Sequence, residues 1–241
     1  MKTIIKNHLS ISLLLFLIGM TSAVNAQEKY IAPGTKFDLT PFTLQLPLEQ
    51  NSSIMQKKGK ELAKYSSNYF YLDPKDQSMH LFCKSDGTTT KGSHFPRTEL
   101  REINEWHFAG QHEMSVKLAV LQQPSSGKII IGQIHGHTKG TEAAKLWWNN
   151  GDLQIGFKKE VNDKEQRFTL LKNVPLNQVF SYTISQSDHT VTVTVNDQSQ
   201  TFTFGDSWTS ESVYFKVGNY LQDNSKPVTS GLIAVYSVTI K

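Results

Sequence analysis

An alternation of polar and apolar residues with a period of two is the feature that most limits how this chain can fold. Thr190 to Val195 alternates threonine and valine without a break, and further segments between residues 115 and 240 follow the same period. Successive side chains of a strand point to opposite faces, so the pattern predicts strands with one buried and one solvated face. The predicted strands are 115–121, 128–135, 153–157, 179–185, 190–195, 200–204, 213–222 and 232–240.

The spacing of these segments predicts an all-β sandwich or jelly roll. Asn196-Asp197 separates two of the predicted strands and indicates a hairpin. The one candidate helix spans residues 53–65, where Ile54, Leu62 and Tyr65 could share a face. The sequence shows no internal repeat, no low-complexity linker and no change of composition after residue 27, which favours one domain over residues 27–241.

The first 26 residues are typical of a secretory signal peptide. Lys2 and Lys6 precede an apolar run over residues 11–20, and the segment ends in Val-Asn-Ala at Ala26. The apolar run is too short for a membrane anchor. We therefore expect cleavage after Ala26 and a secreted or periplasmic protein with no membrane association once the signal is removed.

The charge of the mature chain argues against nucleic-acid binding, and its cysteine content argues against stabilisation by a disulfide. Without Lys2 and Lys6, the 25 basic residues become 23 against 21 acidic residues, which leaves a net charge of +2. The basic residues form no cluster of the kind that binds nucleic acid. Cys83 is the single cysteine. It cannot form an internal disulfide, so we expect it to be a buried small hydrophobe in a sizeable core.

Three predicted strand segments carry polar residues on one face, because side chains two apart on a strand point the same way. If one sheet holds all three segments, these residues form a groove rich in hydrogen-bond donors and suited to a bound anion. The residues are Arg97, Glu99 and Arg101, then Gln133 and His135 opposite Ile134, and then Tyr214, Lys216, Gly218, Tyr220 and Gln222.

Each segment also has an ordinary structural explanation. Arg97, Glu99 and Arg101 could form an ion-pair ladder on a solvated face. His135 could be a structural histidine, and Tyr220 could pack its ring while its hydroxyl meets water. Their combination is more informative than any one of them.

In chain order, the three segments resemble the signature motifs of polysaccharide lyase family 7, the alginate lyases. They read Arg-Thr-Glu-Leu-Arg at 97–101, Gln-Ile-His at 133–135 and Tyr-Phe-Lys-Val-Gly-Asn-Tyr-Leu-Gln at 214–222. Val217 stands where the family usually has alanine, and by alternation it points away from the groove. The resemblance runs from about Phe37 to the C terminus.

The resemblance implies a concanavalin A-like jelly roll with its groove on one concave sheet, and β-elimination of alginate by a monomer without a metal or organic cofactor. Arg97 and Gln133 would neutralise the substrate carboxylate, His135 would remove the C5 proton, and Tyr220 would protonate the leaving oxygen. Supporting roles in orienting sugars or catalytic groups would fall to Glu99, Arg101, Lys216 and Gln222. Isoleucine at position 134 accompanies activity on guluronate-containing blocks in the family.

Two other classes of function remain open from the residues. A β-sandwich glycoside hydrolase needs two carboxylates that flank the bond, and Glu99, Glu102 and Glu105 do not alternate onto one face. A non-catalytic module for acidic polysaccharide could use Trp147 and Trp148 with the groove arginines.

Two pairs of histidines could bind zinc, His107 with His112 and His135 with His137, but no clear third ligand accompanies either pair. The segments 136–145 and 223–230 are candidate lids over the groove.

Overall fold

Residues 30–241 are described by a computed structural model, and the predicted signal peptide lies outside these residues. They form two antiparallel sheets. In chain order the strands are β1 (Phe42–Gln50), β2 (Ser53–Lys58), β3 (Phe70–Leu72), β4 (Met79–Lys84), β5 (Arg97–Glu102), β6 (Gln111–Gln122), β7 (Lys128–Gly136), β8 (Glu142–Asn149), β9 (Asp152–Phe157), β10 (Gln166–Leu171), β11 (Phe180–Ser187), β12 (Thr190–Val195), β13 (Gln198–Thr203), β14 (Val213–Leu221) and β15 (Ser230–Ile240).

The eight-stranded sheet has the order β10-β9-β8-β7-β14-β5-β1-β2, and the seven-stranded sheet has the order β13-β12-β11-β6-β15-β4-β3. This architecture confirms the predicted all-β sandwich. The predicted hairpin at Asn196 is also confirmed, since β12 pairs with β13 around it. The helices within residues 30–241 are α1 (Gly59–Lys64) and two short 3-10 turns, Pro33–Thr35 and Asp206–Trp208. None of them is long enough to cross a bilayer.

The core lies between the two sheets and is built from the inward face of each strand. Trp148 of β8 stacks on Phe180 of β11, with ring centroids 6.5 Å apart. Val217 and Ile134 are buried in this core, as alternation predicts. Cys83 is buried there too, which confirms its expected structural role.

Two predictions of local structure were wrong in part. Residues 53–65 do not form one helix: β2 runs to Lys58, and α1 begins at Gly59, whose φ of 55° breaks the strand. Glycine adopts this left-handed conformation at little cost, so the chain changes from strand to helix there. The predicted lid at 136–145 is also too long, because β8 begins at Glu142.

Candidate active site

The register of the eight-stranded sheet brings the three polar segments together. β14 lies between β7 and β5. Lys216 of β14 pairs with Arg101 on one side and with Gln133 on the other. Tyr220 pairs with Arg97, and Tyr214 pairs with His135. Three segments that are distant in the chain therefore present one continuous polar face, as the alternation pattern predicts.

A pocket of about 230 Å³ opens on this face. Four of the predicted site residues line it: Arg97, His135, Lys216 and Tyr220. The other lining residues come from β1, β8, β14 and two loops; they are Gln45, Thr90, Gly92, Ser93, Gly140, Glu142 and Tyr214. The pocket thus combines two cations, an imidazole and two phenols.

Glu99 lies beneath the pocket rather than in its wall, and its side chain is fully buried. Its carboxylate accepts a short hydrogen bond from Nε2 of Gln133 and forms a short ion pair with Nζ of Lys216. Nη1 of Arg97 is 3.4 Å from the same carboxylate. Glu99 therefore acts as a common acceptor that orients three neighbouring donors.

Gln133 is also fully buried, and its contact with Glu99 fixes the orientation of its amide. A reversed amide would place two oxygens against each other, so the NH₂ group must face the carboxylate. The side-chain oxygen of Gln133 and Nε of Arg97 are buried without a hydrogen-bond partner among the described residues. A hydrogen bond to a ligand or to water would satisfy either atom.

Two of the predicted residues lie at the margins of the pocket. Arg101 forms a short ion pair with Glu105, and its guanidinium carbon is 3.7 Å from the ring centroid of Tyr214. It therefore supports a residue of the pocket wall. Gln222 follows the end of β14, where its backbone N–H donates to the carbonyl of Lys128. It is not part of the lining described above.

His135 is held in one tautomer by its own strand. Nδ1 lies 2.7 Å from the carbonyl oxygen of Gly136, which can only accept, so Nδ1 carries the proton and Nε2 has a free lone pair. The ring stacks on that of Tyr214, whose hydroxyl oxygen is 3.1 Å from Nδ1. Burial and the charge of Lys216 lower the pKa of His135 to about 4, against the opposing effect of Glu142.

Lys216 is the most deeply buried cation of the pocket. Burial and the nearby charge of Arg97 lower its pKa to about 8, and Glu99 partly offsets this effect. Lys216 is therefore protonated at neutral pH. Glu142 faces His135 from β8, its register partner. Burial alone would raise the pKa of Glu142, but the charges of Lys145 and His135 outweigh it and hold that pKa below its ordinary value.

Sequence reasoning did not assign six of the lining residues to the site: Gln45, Thr90, Gly92, Ser93, Gly140 and Glu142. Gln45 comes from β1, Ser93 comes from the loop between β4 and β5, and Glu142 begins β8. Ser93 and Glu142 belong to no polar alternating segment, so no local signal marks them, whereas Gln45 alternates with Leu44 and Leu46 and could have been found from the sequence. The candidate lid 136–145 does contribute Gly140 and Glu142 to the pocket, whereas residues 223–230 contribute nothing to its lining.

The structure keeps the acidic residues of β5 apart. Glu102 points into the core, where it accepts hydrogen bonds from Nε1 of Trp106 and from the backbone of Phe215. Glu99 and Glu102 are thus on opposite faces of the sheet. This arrangement confirms that they do not form the carboxylate pair of a glycoside hydrolase.

One group among residues 30–241 has the composition of a metal site, and it belongs to the other sheet. Ligand atoms of Asp73, Asp76 and His80 lie within 4.8 Å of one another. Asp76 already accepts hydrogen bonds from Ser78 and from the hydroxyl of Tyr236. The cluster is explained by these contacts around the β3–β4 turn.

Known proteins share both the sequence pattern and the fold. The sequence profile of a family described as alginate lyase matches residues 37–241. Comparison with curated proteins gave no match. A solved variant of family 7 alginate lyase A1-II′, in complex with a product written GGG, is 30% identical with a TM-score of 0.82 over 88% of this chain and 99% of that one.

Other solved relatives agree. An alginate lyase from Pseudomonas aeruginosa is 26% identical with a TM-score of 0.80, over 85% of this chain and 99% of that one. An alginate lyase from Klebsiella pneumoniae, 22% identical with a TM-score of 0.77 over 87% and 98% of the two chains, shares the fold. The pocket lies on the three motifs from which the resemblance was drawn, and the match spans nearly all of the described residues. The chain therefore belongs to the alginate lyases of polysaccharide lyase family 7.

Proposed function

We propose that this alginate lyase acts by β-elimination. A base removes the proton on C5 of a uronate, the bond between C4 and O4 breaks, and the product carries a 4,5-unsaturated end. One observation supports this proposal most strongly: Arg97, Lys216, His135 and Tyr220 line a single pocket. That set supplies cations, a base and a proton donor without a pair of carboxylates.

The cations address the main barrier of the reaction. Loss of the C5 proton next to a carboxylate builds up additional negative charge, which donors fixed around that carboxylate stabilise. Arg97 can offer a planar two-pronged contact, and its Nε has no partner among the described residues. Lys216 adds a buried point charge. Gln133 donates one N–H to Glu99, and we propose that its second N–H donates to the substrate carboxylate.

His135 is the proposed base for guluronate. Its low pKa keeps the imidazole neutral, and the free lone pair on Nε2 can take the C5 proton. A weak base becomes stronger when an anion binds beside it, because the negative charge favours the imidazolium. The substrate carboxylate would therefore raise the basicity of His135 when it binds.

Tyr220 is the proposed acid that protonates the leaving O4. For mannuronate, whose C5 proton lies on the other face of the sugar, Tyr220 would serve as both base and acid. Glu99 would hold the donors in place, and Arg101 and Gln222 would orient the neighbouring sugars or the pocket wall.

We also propose a preference for guluronate-containing blocks, from Ile134 in the middle of the Gln-Ile-His motif. Ile134 is fully buried in the core, so its influence would be indirect, through the position of the strand that carries Gln133 and His135. We further propose that the mature protein begins after Ala26, is secreted or periplasmic, and works as a monomer without a cofactor.

Incubation of the purified protein with polyguluronate, polymannuronate and a neutral glucan tests the reaction. Elimination creates a conjugated double bond, so we expect ultraviolet absorbance to rise with alginate blocks only. Reducing ends without absorbance would indicate hydrolysis, and binding without either product would indicate a carbohydrate-binding module. Activity that is lost in a chelator and restored by one divalent ion would contradict the cofactor-free proposal.

A further inference from the structure

We propose that Ser93 is a positioning residue that holds the phenol of Tyr220 and is its hydrogen-bond partner before and after proton transfer. The inference rests on the proposed role of Tyr220. Ser93 lies in the loop between β4 and β5, outside the three motifs. Its Oγ is 2.9 Å from the hydroxyl oxygen of Tyr220.

The hydrogen-bond inventory of Ser93 determines which residue donates. The Ser93 hydroxyl lies 2.9 Å from the carbonyl oxygen of Phe95, which can only accept. The backbone N–H of Phe95 donates to the same Oγ at 3.2 Å. With the single hydroxyl proton of Ser93 directed at that carbonyl, Tyr220 donates in the bond between the two hydroxyls. In this arrangement the Tyr220 proton lies on the Ser93 side, and the lone pairs of the hydroxyl oxygen are free toward the pocket.

The loop that carries Ser93 is anchored onto the groove. The half-buried ring of Phe95 packs against a small cluster of Ile130, Trp147 and Tyr220. The backbone N–H of Ser93 donates to the carbonyl of Thr90 at 2.9 Å, which closes a tight turn. These contacts hold the serine hydroxyl at the edge of a partly enclosed pocket, where water competes less for the bond.

The arrangement supports each step that Tyr220 has to perform. When the bond between C4 and O4 breaks, the Tyr220 hydroxyl turns from Ser93 to O4 and transfers its proton, which leaves a phenolate. The Ser93 hydroxyl then turns from Phe95 to donate to that phenolate. The proton that His135 removed from C5 returns through water to restore the phenol. Ser93 thus accepts from the phenol and donates to the phenolate, a reversal for which a hydroxyl is well suited because one oxygen both donates and accepts.

Substitution of Ser93 with alanine, cysteine and threonine tests this role. Alanine has no hydrogen-bonding group and cysteine is a weak donor and acceptor, whereas threonine keeps the hydroxyl. We expect Ser93→Ala and Ser93→Cys to lower kcat on alginate about fivefold or more, the effect of losing one ordinary hydrogen bond. KM should stay within about twofold, because the bond acts on Tyr220 rather than on substrate affinity. Ser93→Thr should keep at least half of the wild-type kcat.

Ser115→Ala is the matched control. Ser115 lies on β6 of the other sheet and also makes side-chain hydrogen bonds, to Glu113 and Thr183. Its kinetics should equal those of the wild type. If Ser93→Ala and Ser93→Cys matched this control, or if Ser93→Thr were as slow as Ser93→Ala, the positioning role would be refuted. A wild-type enzyme without elimination activity would instead refute the proposed function.

Discussion

The guanidinium carbon of Arg97 lies 3.8 Å from the ring centroid of Tyr220, so the proposed neutralising cation and the proposed proton donor are in direct contact. A cation over an aromatic face is attracted by the ring electrons and also stabilises negative charge on the ring. The two residues are register partners on β5 and β14, which fixes this geometry through the backbone. Substitution at Arg97 should therefore affect both functions.

Replacement of Arg97 by lysine keeps the charge but loses the planar fork and its contact with the Tyr220 ring. We expect kcat/KM to fall about tenfold or more, roughly 1.4 kcal/mol of lost transition-state stabilisation. Steady-state kinetics on alginate, with circular dichroism as a check of the fold, measure the effect. Near-normal kinetics with an intact fold would remove Arg97 from the neutralising role.

Glu99→Gln should be strongly destabilising. The substitution keeps the size of the side chain but leaves Lys216 and Arg97 buried without their counter-charge, a loss worth about 3–5 kcal/mol. The matched control is Glu102→Gln on the same strand, since Glu102 accepts only neutral donors from Trp106 and the Phe215 backbone. Urea unfolding of both variants should show the larger loss at position 99. Equal losses would mean that the charge of Glu99 is not needed.

The pH dependence of kcat/KM should reflect the charged groups around His135. The groups that face its ring are Lys216 and Tyr214 from β14, Glu142 from β8 and, beneath them, Glu99 from β5. If His135 is the base, kcat/KM falls where the free imidazole is protonated, so its acid limb should lie near the lowered pKa of about 4 rather than in the ordinary histidine range.

Glu142→Gln removes the carboxylate that favours the charged imidazole. The pKa of His135 should therefore fall further, and the acid limb should move down by roughly one pH unit. The rate at neutral pH should also fall, because a weaker base transfers the proton less readily. Glu165→Gln is the control, since Glu165 pairs with Lys145 but is not in the pocket lining. An imidazole titration by NMR that is unchanged in Glu142→Gln would contradict this interpretation.

Gly132 should tolerate no side chain. A Cβ there would lie 2.6 Å from the hydroxyl oxygen of Tyr182, which is buried and donates to the carbonyl of Ile131. Gly132→Ala should destabilise the protein by about 1–3 kcal/mol, the usual cost of overpacking, and should disturb the neighbouring Gln133. Gly92→Ala is the stability control, because a Cβ at that position meets nothing within 4 Å. Thermal unfolding of the two variants compares them directly.

The two-residue alternation correctly predicted which side chains of β5, β7 and β14 face the groove, because alternation along a strand is a local property. It placed Val217 and Ile134 in the core. Asn219 is two residues from Val217 and lies on the same face, where its amide donates to the carbonyls of Leu81 and Gly231. Sequence reasoning assigned residues 142–145 to a lid although they begin β8, because the glycines and polar residues before Glu142 are typical of a loop.

The missed pocket residues show a different limit. Ser93 lies near Tyr220 only because the loop between β4 and β5 folds over the groove, and Glu142 lies opposite His135 only because β8 pairs with β7. One relationship depends on the path of a loop and the other on strand order, and alternation encodes neither. The motifs marked the centre of the site, and the tertiary structure supplied the residues that surround it.

The separate proposed roles of His135 and Tyr220 predict different effects of substitution on guluronate and mannuronate cleavage. Guluronate and mannuronate present the C5 proton on opposite faces of the sugar, so the base should matter differently for each. His135→Ala should abolish cleavage of polyguluronate and spare part of the activity on polymannuronate. Tyr220→Phe should abolish both, because each route needs its hydroxyl. Initial rates of both variants on both block polymers, followed by ultraviolet absorbance, measure this difference. Undiminished rates for Tyr220→Phe on either polymer would rule out the mechanism.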